Sequence, residues 1–161
     1  MRGRGFFLAA TLIAVPAAAQ LTPVPQSTDI THIAGTIPTI CSVEAVTSTV
    51  QVQLSGQAQD ITDVVYTCNS AEGITRRISS LNSGRLLRGL QGIPYLISQD
   101  GNTDLAFAPV SLSGPVVTDL PPSEALTNGT TGLLRLSIPT IPQGLVAGEY
   151  VDTVTIEIVP N

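Results

Sequence analysis

Gly148-Glu149-Tyr150-Val151-Asp152-Thr153-Val154-Thr155-Ile156-Glu157-Ile158-Val159 is the stretch from which the fold can be read. In an extended chain Tyr150, Val154, Ile156 and Ile158 share one face, interrupted only by Asp152. Val151, Thr153, Thr155, Glu157 and Val159 share the other. A period of two written in β-branched residues predicts a strand with one face against a core. Only Pro160 and Asn161 follow in the sequence. A sandwich whose most regular strand comes last has little left to cover that strand's outer edge, so what lies beside it becomes the question.

Working back from there, the rest of the chain has the same character. Val50, Val52 and Leu54 alternate with Gln51 and Gln53 in Thr47 to Leu54, and Val64, Tyr66 and Cys68 share a face in Ile61 to Cys68. Both segments predict strands. So do Ile74 to Leu81, Ile93 to Ser98, Leu105 to Val110, a short edge piece at Gly114 to Val117, and Gly132 to Ile138. Asp29 to Ile40 is strand-like, but Gly35 and Pro38 weaken it. Turn signals recur roughly every ten residues, prolines are spread throughout, and no helical period stands out. The expectation is an all-β, immunoglobulin-like sandwich of about eight strands.

The first residues belong to export rather than to the fold. Arg2 and Arg4, the apolar run Phe6 to Val15, and Ala17-Ala18-Ala19 have the order of a secretory signal peptide, with cleavage expected after Ala19. The apolar run is about half of the ~20 residues a membrane-spanning helix needs. The expected organisation is thus a signal peptide at 1–19, an extension at 20–33, and a sandwich at 34–161. No membrane span is expected after cleavage.

Beyond Ala19 the chain carries five arginines, no lysine and all twelve acidic residues, a formal charge of −7. Such a surface has no electrostatic footprint for nucleic acid. Cys41 and Cys68 are the only cysteines. An isolated pair in an exported chain is expected to form one disulfide, worth roughly 3 kcal/mol in the chain-entropy model.

Catalytic chemistry has little material. His32 is the single histidine, distant from any nucleophile motif, and no phosphate loop or Cys/His metal spacing occurs. Asp100, Asn102 and Asp104 alternate like calcium-loop ligands, but Leu105 and Ser111 stand where that loop needs Gly and Glu. Asp100-Gly101 also reads as hairpin chemistry. Asn128-Gly129-Thr130 fits either a glycosylation acceptor or a turn. The adjacent Arg76 and Arg77 suggest an anion site less than a strand with one side chain turned to solvent. The expectation is a non-enzyme without metal or cofactor.

Three stretches resemble a known family, the spore coat protein U type of pilin-like domain found in archaic chaperone–usher fimbriae and their secreted relatives. Gly35 to Val43 is similar to the run into a pilin's first cysteine. Tyr66 to Gly73, Ser80 to Gly84 and Ile93 to Ile97 are similar to the second cysteine and the strands after it. Ala147 to Ile156 is similar to the family's final strand. The resemblance implies a sandwich lacking its last strand, with an apolar groove beside the C-terminal one. A periplasmic chaperone would fill that groove first, and at the outer-membrane usher the N-terminal extension of a neighbouring copy or related subunit would replace it. Tyr150, Val154, Ile156 and Ile158 would line the groove, and Cys41 and Cys68 would form the bridge. Leu21, Val24, Ile30 and Ile33 would supply the donor strand. The product would be a cell-surface fimbria, or a secreted monomer of a coat or binding module. The extension departs from the family pattern, because Leu21 and Val24 sit beside Pro23 and Pro25. Either the donor register lies later, through Ile30 and Ile33, or the chain does not polymerise.

Overall fold

Ten strands and one short helix succeed one another in the computed structural model, which describes residues 31–161. The signal-peptide and donor-strand expectations at Leu21, Val24 and Ile30 lie outside the described residues. In chain order the elements are β1 (Cys41–Ala45), β2 (Gln59–Cys68), β3 (Ile74–Ser80), β4 (Arg85–Arg88), β5 (Gln91–Pro94) and β6 (Leu96–Gly101). They continue with β7 (Phe107–Ser111), β8 (Val116–Leu120), α1 (Glu124–Asn128), β9 (Thr130–Ser137) and β10 (Val154–Pro160). Ile37–Asn161 form one compact unit. Thr31–Thr36, which include Ile33, have no secondary structure.

The fold is an all-β sandwich of antiparallel sheets. One sheet has the order β1-β2-β9-β6-β7, the other β10-β3-β8, and β4 and β5 form a separate hairpin. Period-two burial explains the pairing of the layers. β2 turns Val64, Tyr66 and Cys68 inward, β3 turns Ile74, Arg76 and Ile78, and β9 turns Leu134 and Leu136. Each fully buried aliphatic or aromatic side chain is worth about 1.5–3 kcal/mol. A slip of one residue in any of these strands would put the whole set in water. Cys41 and Cys68 are directly opposite in the β1–β2 register and are joined by a disulfide.

Four segments depart from the sequence-based expectation, each for a local reason. Ile93 to Ser98 is not one strand but divides at Tyr95 between β5 and β6. Ile93, Tyr95 and Ile97 all stay buried, so the chain remains extended. Pro94 has no N–H to continue the ladder, and the Tyr95 amide donates to the Gly84 carbonyl at 3.0 Å. Thr31–Ile40 form no strand; instead Asn69 holds the end of this run, accepting from the Ile40 amide at 2.7 Å and donating to the Pro38 carbonyl at 2.9 Å.

Thr47 to Leu54 forms no strand either, despite its alternation. The regular β1–β2 register ends at Ala45 and Val64, and the chain bends at Val46 and Ser48. Side chains substitute for the ladder: the Thr47 amide donates to Thr62 Oγ1 at 2.9 Å and the Gln53 amide to Gln59 Oε1 at 2.7 Å. The last strand is also shorter than the alternation suggests, starting at Val154. Before it, only Val151 makes a bridge, exchanging two backbone bonds with Leu87 of β4.

The helix α1 had no periodic signal because five residues cannot show one. Ser123 caps it, accepting from the Leu126 amide at 3.1 Å, and Leu126 is buried.

Candidate functional site

The last strand, β10, lies at a sheet edge. β10 pairs with β3 and with no other strand among the described residues. Leu81 donates to the Thr153 carbonyl and Asn161 donates to the Gly73 carbonyl. In an antiparallel ladder bonded pairs recur at every second residue, so odd-numbered residues of β10 bond to β3. The N–H and C=O groups of Val154, Ile156 and Ile158 therefore point away from the sheet. These are also the residues whose side chains turn inward, half-buried.

β1 is the edge of the facing sheet, and the same accounting applies. Asn69 donates to the Ile40 carbonyl and Val46 donates to the Asp63 carbonyl, so even-numbered residues bond to β2. Cys41, Val43 and Ala45 carry the free groups. β1 and β10 lie near one another without pairing. Residues of the two edges come within 8 Å, Cα to Cα, closer than the roughly 9.6 Å that two inter-strand spacings require, so no added strand fits between β1 and β10 themselves.

A cleft of about 640 Å³ opens along the β10 edge. Tyr150, Val154 and Ile156 line one wall, and Thr47–Val52 with Leu54 line the other. Leu86, Leu134 and Leu136 contribute apolar surface from the interior. Ile158, which the sequence grouped with the first wall, lines instead a second opening of about 610 Å³ with Cys41, Val43 and Val159. Arg77, Val117 and Glu157, which like Val159 face outward from the β10-β3-β8 sheet, line it too, so this second opening lies on the outer side of that sheet and is distinct from the cleft that reaches the interior.

Asp152, the break in the apolar face, is a clamp. Its carboxylate accepts from Ser80 Oγ at 2.5 Å, Tyr95 Oη at 2.6 Å, and the amides of Thr153 and Asn82 at 2.7 and 3.0 Å. It ties the approach to β10 onto the turn after β3. Burial pushes the Tyr95 phenol well above its ordinary range, and the hydrogen bond to Asp152 raises it further. Tyr150 closes the same end, donating to the Val146 carbonyl or Gln91 Oε1, at 2.9 and 2.7 Å. The signal for this clamp was a single acidic residue inside an otherwise apolar face.

Arg76 and Arg77 divide as adjacent strand residues must. Arg77 is exposed, whereas Arg76 is 1% exposed. Arg76 Nη1 donates to Gln99 Oε1 at 2.7 Å and to the Leu105 carbonyl at 2.9 Å, and Tyr66 Oη donates to the same Gln99 oxygen at 3.2 Å. The guanidinium lies 5.2 Å from the Phe107 ring centroid and 5.8 Å from that of Tyr66, within reach of their π faces. Among the described residues Arg76 has no carboxylate partner, and its Nε and Nη2, with Gln99 Nε2, lack hydrogen-bond partners. Burial raises the Tyr66 phenol above its usual range, partly offset by Gln99 and Arg76.

The remaining candidates resolve into turn chemistry. The Asn102 carbonyl accepts from the Leu105 and Ala106 amides, and its side chain accepts from the Asp104 amide at 3.2 Å. No group of three His, Cys, Asp or Glu side chains is placed to hold a metal among the described residues. Gly129, at φ 94, ends α1 and leads into β9. No helix among the described residues is long and apolar enough to cross a membrane.

Comparison with protein-family models, with curated proteins and with solved structures gives no match.

Proposed function

We propose that this protein is a non-catalytic structural subunit of a cell-surface fimbria. In this reading it is exported through the periplasm and joined to neighbouring copies or related pilin subunits by strand addition. The observation that carries the reading is the unpaired outer ladder of β10, beside which Tyr150, Val154 and Ile156 line a cleft with Leu86, Leu134 and Leu136 at its base. An unpaired edge of this kind invites pairing with another chain, and a covered one ceases to be a liability. Before assembly a periplasmic chaperone would hold the cleft, and an outer-membrane usher would exchange it for the next subunit's extension.

The occupant in this reading is the Gln20 to Ile33 stretch of a second copy. The cleft runs beside Glu149 to Ile156, at most about 26 Å at ~3.3 Å per residue. A fourteen-residue extension is long enough to fill it. Pro23 and Pro25 favour a second reading, a secreted monomeric sandwich of a surface coat or binding module, since proline cannot donate to a ladder.

Size-exclusion chromatography of the periplasmically expressed full chain, with unboiled and boiled gel lanes, separates the two. Strand exchange gives SDS-resistant ladders that collapse on boiling. A stable monomer with no ladder in either lane, at any concentration, rejects the fimbrial reading and supports the second.

A further inference from the structure

Arg76 sits where a cation is hardest to keep. It is 1% exposed, flanked by the rings of Tyr66 and Phe107, and it is the one charged side chain that is buried among the described residues. The ion pairs found there all belong to Arg135, so no carboxylate answers it. A buried carboxyl or amine can escape the cost of burial by changing its protonation; a guanidinium holds its charge. Two aromatic faces and two neutral oxygens soften that cost without cancelling the charge.

The hydrogen-bond accounting points the same way. Gln99 Oε1 spends its two lone pairs on Arg76 Nη1 and Tyr66 Oη, and Nη1 also donates to the Leu105 carbonyl. Arg76 Nε and Nη2 and Gln99 Nε2 are left over, and all three are donors. Nε and Nη2 share one edge of the planar guanidinium, the edge that grips a carboxylate side-on. The cluster therefore lacks acceptors and negative charge together.

We propose that the Nε–Nη2 edge of Arg76 binds a small monovalent anion, chloride in ordinary buffers, enclosed between the two sheets. A water would meet only part of the need, since it brings two donors of its own and no charge. A sulfate or doubly charged phosphate would exchange one unmatched buried charge for another, because no second buried cation is present among the described residues. Arg76 comes from the β10-β3-β8 sheet, whereas Gln99 and Tyr66 come from the facing one. An ion held here acts on the packing of one sheet against the other.

The test is urea unfolding and refolding of the full chain while sodium gluconate is replaced by sodium chloride or bromide at constant ionic strength. Binding to the folded state alone makes the folding constant rise by up to about tenfold for each tenfold rise in halide above its Kd. Gln99→Glu supplies an internal carboxylate beside Arg76, so its midpoint is expected to be flat in halide. A crystal grown in bromide is expected to show an anomalous peak within hydrogen-bond reach of Arg76 Nε and Nη2. A wild-type midpoint that is flat in halide overturns the proposal and leaves water as the occupant. A halide dependence that persists in Gln99→Glu overturns it as well, by placing the ion elsewhere. Bromide found only on the surface, an adventitious ion only, does the same.

Discussion

Thr130–Ser137 and Thr47–Leu54 are similar sequences with different fates. TTGLLRLS is β9, paired on one side with β2 and on the other with β6. TSTVQVQL alternates apolar and polar residues more cleanly and has no ladder at all. The difference lies in their neighbours. β9 enters between two strands that present complementary edges, and Arg135 on its outer face bridges Asp60 and Asp100 at 2.7 Å each. Thr47–Leu54 turns away from the β2 edge at bends at Val46 and Ser48, and Thr62 and Gln59 side chains take up amides that a ladder would have bonded. Alternation states that a segment fits a half-buried pleated surface; whether a strand forms is decided by an available edge.

The sharpest way to break this contrast is to truncate the paired member. Leu134 is 4% exposed within β9. Leu134→Ala is expected to cost about 3 kcal/mol, from lost burial plus the cavity left in a packed interior. A urea denaturation midpoint, at unchanged m-value, measures it. A loss below about 1 kcal/mol would mean that the closed half is as loosely held as the open one.

Next in size is the polar centre of the closed half. Gln99 on β6 accepts from both Arg76 and Tyr66, and it packs so closely on Gly132 of β9 that a Cβ there would collide with it. Gln99→Leu leaves a buried guanidinium with the Leu105 carbonyl as its remaining acceptor. The expected loss is about 2–3 kcal/mol, because removing one partner of a buried charge strands the other. Adding Arg76→Met should restore at least half of it. Additive losses in that double-mutant cycle would show that Arg76 draws its compensation from somewhere other than Gln99.

Between the halves stands the Tyr95–Asp152 contact, and pH addresses it. The Tyr95 phenol is raised in the folded state above the ordinary value of 10.0, so its contribution is complete below pH 10 and is lost as pH climbs beyond it. Tyr66 is raised as well, with the same sign. Stability is expected to decline from about pH 10 upward, each phenol contributing up to about 1.4 kcal/mol per pH unit. Tyr95→Phe should cost about 1 kcal/mol at neutral pH and flatten the alkaline decline by one of the two phenols. An unchanged slope in that variant would place the alkaline sensitivity in Tyr66 alone.

The sheets were legible in the sequence wherever one face is buried by contacts within the domain, as in β2, β3 and β9. The half-buried face of Tyr150, Asp152, Val154, Ile156 and Ile158 was legible too, including across the part that is not a strand. What the sequence did not show depends on partners distant in the chain. The β4–β5 hairpin and the division at Tyr95 follow from which edges meet. The burial of Arg76 follows from aromatic rings on β2 and β7. The separation of Ile158 from the cleft follows from the close approach of β1 to β10, which leaves an opening on the outer sheet face shared with Arg77 and Val117.

The smallest expected effect on stability tests the open member directly. Val52 is half-buried and lines the cleft without a ladder. Val52→Ala removes two methyl groups from a site already partly in water, so the cost is expected to be under about 1 kcal/mol. Val52→Asp should be similarly mild for the free domain, because the carboxylate can turn toward solvent. The same Asp in a filled cleft would be desolvated against apolar surface without a partner. Binding of a synthetic Gln20 to Ile33 peptide, followed by the Ile156 chemical shift, is therefore expected to weaken at least tenfold in Val52→Asp while the urea midpoint moves little. If Val52→Asp instead unfolds the free domain as Leu134→Ala weakens it, the two segments differ only in hydrogen bonding. In that case Thr47–Leu54 belongs to the resting core rather than to the wall of an open cleft.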